Sequence, residues 1–269
     1  MISRLQRYAA RAGAFITAGV FLGIVGYILY KGAPHLTPDL FSLRYISENV
    51  SMFPAIINTL IMTLLALLIS VPLGVFSAVY LVEYARRGNK LVTVIRMAAE
   101  TLSGIPSIVY GLFGMLFFVI SLGLGLSILS GALTLSIMTL PLILRTTEEA
   151  LKAVPDSYRE GSFGLGAGRL RTVMRVVLPS AVPGILSGII LAVGRIVGET
   201  AALIFTAGTV AELPKGLLSS GRTLSVHMYV LSNEGLYMDQ AYATAVVLLA
   251  VVFGINALSS VIAKRIAKG

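Results

Sequence analysis

Charge-free apolar stretches dominate this chain, and they leave few folds open to it. Residues 13–30, 55–82, 127–144 and 241–263 contain no Asp, Glu, Lys or Arg. Each approaches or exceeds the length of about 20 apolar residues that a helix needs to cross a bilayer's hydrocarbon core. The hydrophobic fraction of 57% and the charged fraction of 12%, with a mean hydropathy of +0.90, lie far from soluble-domain averages. The sequence therefore predicts an all-α, polytopic membrane protein of about six spans, at 13–31, 55–82, 97–121, 127–145, 181–206 and 241–263.

The net charge of +9 has two readings. Nucleic-acid binding would need a clustered patch on a soluble motif. Here the cations follow the loops instead. With the N-terminus in the cytoplasm, the internal segments carry sixteen Lys and Arg residues, and the external ones only Lys31, Arg44, Lys215 and Arg222. That bias places both termini in the cytoplasm. The first apolar run follows Arg4, Arg7 and Arg11 but is long and lacks an evident cleavage site, so it reads as a retained signal anchor. Residues 1–54 then form an anchor helix and an external segment, and 55–269 the main membrane domain. Pro34, Pro38 and Pro54 argue against a continuous helix through 32–54. The polar external segment 207–240 has room for short re-entrant or surface helices.

The internal segment 146–180 is the most informative loop. Pro155, Asp156 and Ser157 mark a helix start, and Glu160 suits the positive end of its dipole. Gly164 and Gly166 permit a turn. Leu170, Val173, Met174 and Val177 return at helical spacing until Leu178 and Pro179 end the second piece. Its order is Glu160-Gly161-Ser162, three residues, Gly166, nine residues, then Val176-Val177-Leu178-Pro179. This resembles the coupling-loop signature of ABC importer permeases, with Gly161, Ser162 and Val176 in place of the commoner residues. The resemblance implies a type I ABC importer permease fold whose loop docks on a separate ATPase. No G-x-x-x-x-G-K-[ST] cradle occurs here, so ATP and Mg would be bound by the partner and no cofactor by this chain.

Three further strings, AETLSGIPSIVYGLFG (99–114), LPLILRTTEEALKAVP (140–155) and GRIVGETAALIFTAG (194–208), are similar to permeases of the phosphate-specific importer, and to its A-type subunit more than its C-type. Implied with them are a prokaryotic plasma-membrane location, a C-type permease partner, two ATPase subunits and an extracytoplasmic phosphate-binding protein. Other oxyanions, sulfate or molybdate, remain an alternative, as does a membrane anchor or sensor that binds an ATPase without moving solute.

Candidate site residues follow from charges inside spans. Arg195 stands twelve helical steps beyond Pro183, about 18 Å of rise, and an unpaired guanidinium at such depth costs at least about 2.5–3.5 kcal/mol. Glu199, one turn on, is expected to offset that cost on the same face, while Gly184, Gly188 and Ala192 allow close helix approach. A packing salt bridge and a substrate pathway both fit the pair. The resemblance favours the pathway, with Arg195 donating to phosphate oxygens and Glu199 neutralising it or accepting a hydrogen bond from a protonated phosphate. Thr200 and Thr206 would contact substrate or satisfy backbone carbonyls. Pro106 breaks the third span, and Arg96 is expected to pair with Glu100 before it in a structural or gating role. Glu148, Glu149 and Asp156 read as surface charges. His35 and His227 read as surface or interfacial residues, with no metal-site pattern. Cysteine is absent, which excludes disulfide and thiol chemistry.

Overall fold

The computed structural model describes residues 4–86 and 88–266. Its helices are α1 (Arg4–Gly32), α2 (Phe53–Val79), α3 (Lys90–Ser103), α4 (Ser107–Gly114), α5 (Ile128–Lys152), α6 (Asp156–Gly164), α7 (Arg169–Thr172), α8 (Leu178–Val197), α9 (Ala201–Thr206), α10 (Leu224–Glu234) and α11 (Met238–Ile266). Three π-helical stretches extend them: Tyr80–Tyr84 after α2, Met115–Ser121 after α4, and Val173–Val177 between α7 and α8. Among the described residues, five helices are long and apolar enough to cross a membrane, and the bent pair α3–α4 makes a sixth if it is one span.

The centre of the bundle is α5, which packs most extensively on α2 and then on α8. Small residues permit this. A side chain at Gly188 would strike Thr146, and one at Gly184 would come within 2.6 Å of Ala150. Thr139 and Thr146 return their hydroxyls to carbonyls of their own helix, so these two polar groups of α5 are satisfied locally. Met62, Leu135, Met138, Ile196 and Leu203 fill the middle. By contrast α1 buries little and lies along α11, where Gly32 meets the Tyr242 backbone.

Prolines mark the interruptions as expected. Pro34 and Pro38 open short 3-10 turns, and Pro54 sits in the first turn of α2. Two spans differ from the sequence expectation. The third has its break at Pro106 as expected, with a bend of 104° between Ser103 and Ser107, but it starts earlier than residue 97, since α3 begins at Lys90. The fifth is not continuous from 181 to 206. It begins inside the preceding loop, because the π-helical turn runs into α8 and Leu178-Pro179 does not stop it, and it breaks at Gly198–Thr200. Pro179 lies inside this continuous helical run, and the π-helical stretch Val173–Val177 just before it marks where the regular ladder is interrupted.

Candidate functional site

Both helix breaks meet at one place. Gly111 and Gly114 let α4 approach α9 so closely that a side chain at Gly111 would lie 2.8 Å from the Ala202 Cα. Ile105, in the first break, packs on the same central cluster as Ile196 and Tyr110. Local hydrogen bonds hold each break open. The Tyr110 hydroxyl donates to the Leu102 carbonyl at 2.7 Å, which also accepts from the Ile105 N–H at 3.1 Å. Glu199 is buried, and its Oε1 accepts from the Thr200 and Ala202 N–H groups at 3.2 and 3.1 Å. From α10, the Ser225 hydroxyl donates to the Glu199 carbonyl at 2.6 Å.

This arrangement corrects the expected Arg195–Glu199 pair. The two are not successive turns of one helix face, since α8 ends at Val197. Glu199 spends its carboxylate capping α9, and among the described residues no carboxylate lies within 4.0 Å of Arg195. Arg195 is partly exposed in the last turn of α8, where helix polarity favours a cation, and within electrostatic reach of the Tyr110 hydroxyl. Thr200 is half-exposed, with only a 3.5 Å contact to the Gly198 carbonyl. Thr206 is buried and donates to the Ala202 carbonyl at 2.8 Å, which leaves it to its own helix.

At the opposite end, α6 and α7 form the expected two-piece elbow. Gly166 has φ +81°, the left-handed conformation a glycine supplies without strain, and the Ser162 and Thr172 hydroxyls bridge the two arms at 2.8 Å. Pro155 caps the first helix without a side-chain bond. Glu160, Gly161 and Pro179 are exposed, while Val176 and Leu178 are partly buried. Val173 and Val177 pack against Ala78, Leu151 and Ile185, so the elbow sits on the ends of α2, α5 and α8. Tyr158, Phe163, Leu165 and Leu170 stay exposed, Leu165 at 91%.

Two ion pairs on buried carboxylates brace this end, and neither was visible in local spacing. Arg159 donates to Glu83 at 2.7 Å and to the Leu151 and Val154 carbonyls, tying α6 to the end of α2. Arg96 does not pair with Glu100, which is exposed. Its Nε donates to Glu148 of α5 at 2.6 Å, and Lys152 reaches the same carboxylate at 3.0 Å. Glu148 is thus a buried junction and not a surface charge. Glu149 and Asp156 are surface charges, paired with Arg145 and Arg159.

His227 is the other correction. His35 lies at the surface near Asp239, but His227 is fully buried in α10, outside the spanning helices, because that helix folds inward on α2. Arg222 is buried beside it, 4.9 Å over the Tyr45 ring. Burial first, and the Arg222 charge second, push the His227 pKa down to about 3. The apolar flanks Leu224, Val226 and Leu231 were the available signal for that inward fold.

Comparison with known proteins places the arrangement. Residues 70–269 match the family model described as binding-protein-dependent transport system inner membrane component. The probable ABC transporter permease protein YqgI of Bacillus subtilis (strain 168) is 37% identical over 246 residues, which is 84% of this chain and 82% of the relative. The phosphate transport system permease protein PstA 1 of Mycobacterium tuberculosis is 40% identical over 157 residues, 58% of this chain and 51% of that protein, so the match spans about half of it. For the Xylella fastidiosa phosphate transport system permease protein PstA, identity is 39% over 182 residues, 67% and 63% of the two chains. A crystal structure of a bacterial ABC transporter that imports alginate superposes with a TM-score of 0.61 over 98% of this chain and 99% of that one at 17% identity. The MetNI methionine ABC transporter, inward facing, gives 0.61 over 80% and 94% at 20% identity. At such identities the likeness is one of fold, the type I ABC importer permease fold. The matched residues run from the middle of α2 through the elbow and both broken spans, and the chain belongs to the family of binding-protein-dependent transport system inner membrane components.

Proposed function

We propose that this chain is a permease subunit of an ATP-driven phosphate importer and lines half of the translocation pathway. The observation that carries this reading is an unpaired guanidinium, Arg195, at the junction of two broken spans. Broken membrane helices expose backbone where a solute passes, and an arginine without a carboxylate favours an anion. Arg195 offers planar donors to the oxygens of phosphate. The relatives named for phosphate transport support the choice of anion.

In this reading the positive-inside bias places the elbow and both termini in the cytoplasm. The exposed residues Tyr158, Phe163 and Leu165 meet a separate ATPase, which binds ATP and Mg and performs the hydrolysis. A second, C-type permease completes the pathway, and an extracytoplasmic binding protein delivers phosphate. Closure of the ATPase pair moves α6, and the Arg159–Glu83 bond carries that movement to α2 as a rigid lever. Thr200, beside Arg195, contributes a hydroxyl. Glu199 holds the break by one oxygen and offers its second to a protonated phosphate; sulfate, which carries no proton near neutral pH, lacks that bond.

The test is uptake by vesicles containing the chain with its partner subunits, supplied with ATP and labelled phosphate or sulfate. Phosphate uptake at least tenfold above sulfate is expected, and Glu199→Gln should narrow that ratio. Equal uptake of both anions by the wild type would contradict the substrate assignment.

A further inference from the structure

Beside the elbow, a cavity of about 520 Å³ opens between the end of α2, the start of α3 and the first turn of α6. Five cationic side chains line it, Arg86, Arg96, Lys152, Arg159 and Arg169, against two carboxylates. Those carboxylates, Glu83 and Asp156, are both held by Arg159. Arg96 and Lys152 share Glu148, outside the lining. Two cations are left over. Arg169 rests 5.3 Å over the Tyr84 ring, and among the described residues neither it nor Arg86 makes an ion pair. Asn89, at the N-cap of α3, uses its carbonyl oxygen on the Leu91 N–H and leaves its amide donors unengaged. Guanidinium and amide donors that outnumber the carboxylates around a cavity suit a tetrahedral oxyanion.

The position of α3 indicates where such an anion comes from. This helix is bent by 104° from the segment that follows it. Its cavity side carries Val92, Thr93 and Arg96, while Leu91, Val94 and Met97 are 58%, 59% and 61% exposed on other sides. A helix with an exposed apolar row and a basic face lies in the membrane interface. The cavity it borders is then at headgroup level, where basic pockets between helices collect anionic lipids. A volume of this size is in the range that holds ligands larger than a bare phosphate ion.

We infer that this cavity binds the phosphoryl headgroup of an anionic phospholipid in the leaflet at the α6 end. A bound headgroup would draw the α2–α3 turn toward the base of the elbow through Arg86 and Arg169. Free inorganic phosphate shares the chemistry, and the experiment separates the two. The full chain in detergent micelles is titrated with dihexanoyl phosphatidylglycerol, dihexanoyl phosphatidylcholine or inorganic phosphate, and retained adducts are counted by native mass spectrometry.

Phosphatidylglycerol should be retained and phosphatidylcholine lost. The double variant Arg86→Gln/Arg169→Gln should weaken phosphatidylglycerol binding by roughly thirtyfold, while Arg171→Gln/Arg175→Gln, with the same charge change outside the cavity, should leave it unchanged. Arg86→Gln alone, on an exposed side chain, should weaken it about fivefold and serves where the double variant does not fold. Equal binding by wild type and Arg86→Gln, or equal retention of both lipids, would overturn the inference. Retention of inorganic phosphate alone would overturn the lipid as occupant and assign the cavity to the free anion.

Discussion

Arg195 and His227 are both polar side chains inside apolar surroundings, and their neighbours give them different roles. Arg195 is partly open and has no carboxylate within ion-pair distance, which suits a transient anion. His227 is sealed, and its charged form is opposed by burial and by Arg222. Because its folded pKa of about 3 lies below the ordinary 6.5, the unfolded chain takes up a proton that the folded chain refuses between those values. Stability is therefore full above that window and declines as pH falls through it, approaching about 1.4 kcal/mol per pH unit from this group. Thermal melts in micelles across the window should show a shallower dependence in His227→Gln than in wild type. Identical slopes would contradict the burial of a neutral imidazole.

At the scale of elements, the two breaks and the elbow are held by specific bonds whose loss has calculable effects. Tyr110→Phe removes the donor to Leu102, whose carbonyl keeps the Ile105 N–H, and should lower stability by about 0.5–1.5 kcal/mol, read as a reduced Tm. Glu83→Gln leaves the mostly buried Arg159 with only the exposed carboxylate of Asp156 as a charge partner. Breaking buried pairs costs about 3–5 kcal/mol, and Arg159's partial exposure places this case toward the lower end. Its distinguishing readout is coupling: ATP turnover by the assembled importer should continue while phosphate moved per ATP falls. A normal ratio would show that the Arg159–Glu83 bond is structural only.

Much of this was legible in the sequence, and the parts that were not share a cause. Gly104-Ile105-Pro106 announces its break because proline cannot continue the ladder, and Gly166 announces the elbow. Gly198-Glu199-Thr200 carries no proline and lies within an unbroken apolar run, so periodicity carries a helix through it. There the carboxylate of Glu199 captures N–H groups that a continuous helix would have given to carbonyls. Arg96 was assigned to Glu100 because spacing rules see only one helix at a time; its partner Glu148 is 52 residues away. The inward position of His227 depends on α10 folding onto α2, and its only local signal is the apolar flanks Leu224, Val226 and Leu231.

For the whole molecule, a central α5 flanked by α2 and α8 joins the elbow at one end to the broken spans at the other. Tight approach at Gly188 and Thr146 makes that connection stiff, since a packed interface transmits displacement and does not absorb it. Gly188→Leu should therefore force α5 and α8 apart and reduce folded yield, measured as monodisperse protein in micelles. Arg195 lies where the stiff α8 ends and the irregular backbone begins, so movement at the elbow is delivered to the side chain proposed to hold the anion. The most direct test of that account is ATP-driven phosphate uptake by the reconstituted importer carrying Arg195→Gln, with assembly and ATPase binding verified in the same vesicles. The account predicts that uptake falls by at least about tenfold, the equivalent of one charge-assisted contact, while the subunits remain assembled. Uptake at the wild-type rate in a fully assembled variant would contradict it and reduce Arg195 to a structural residue at the end of a helix.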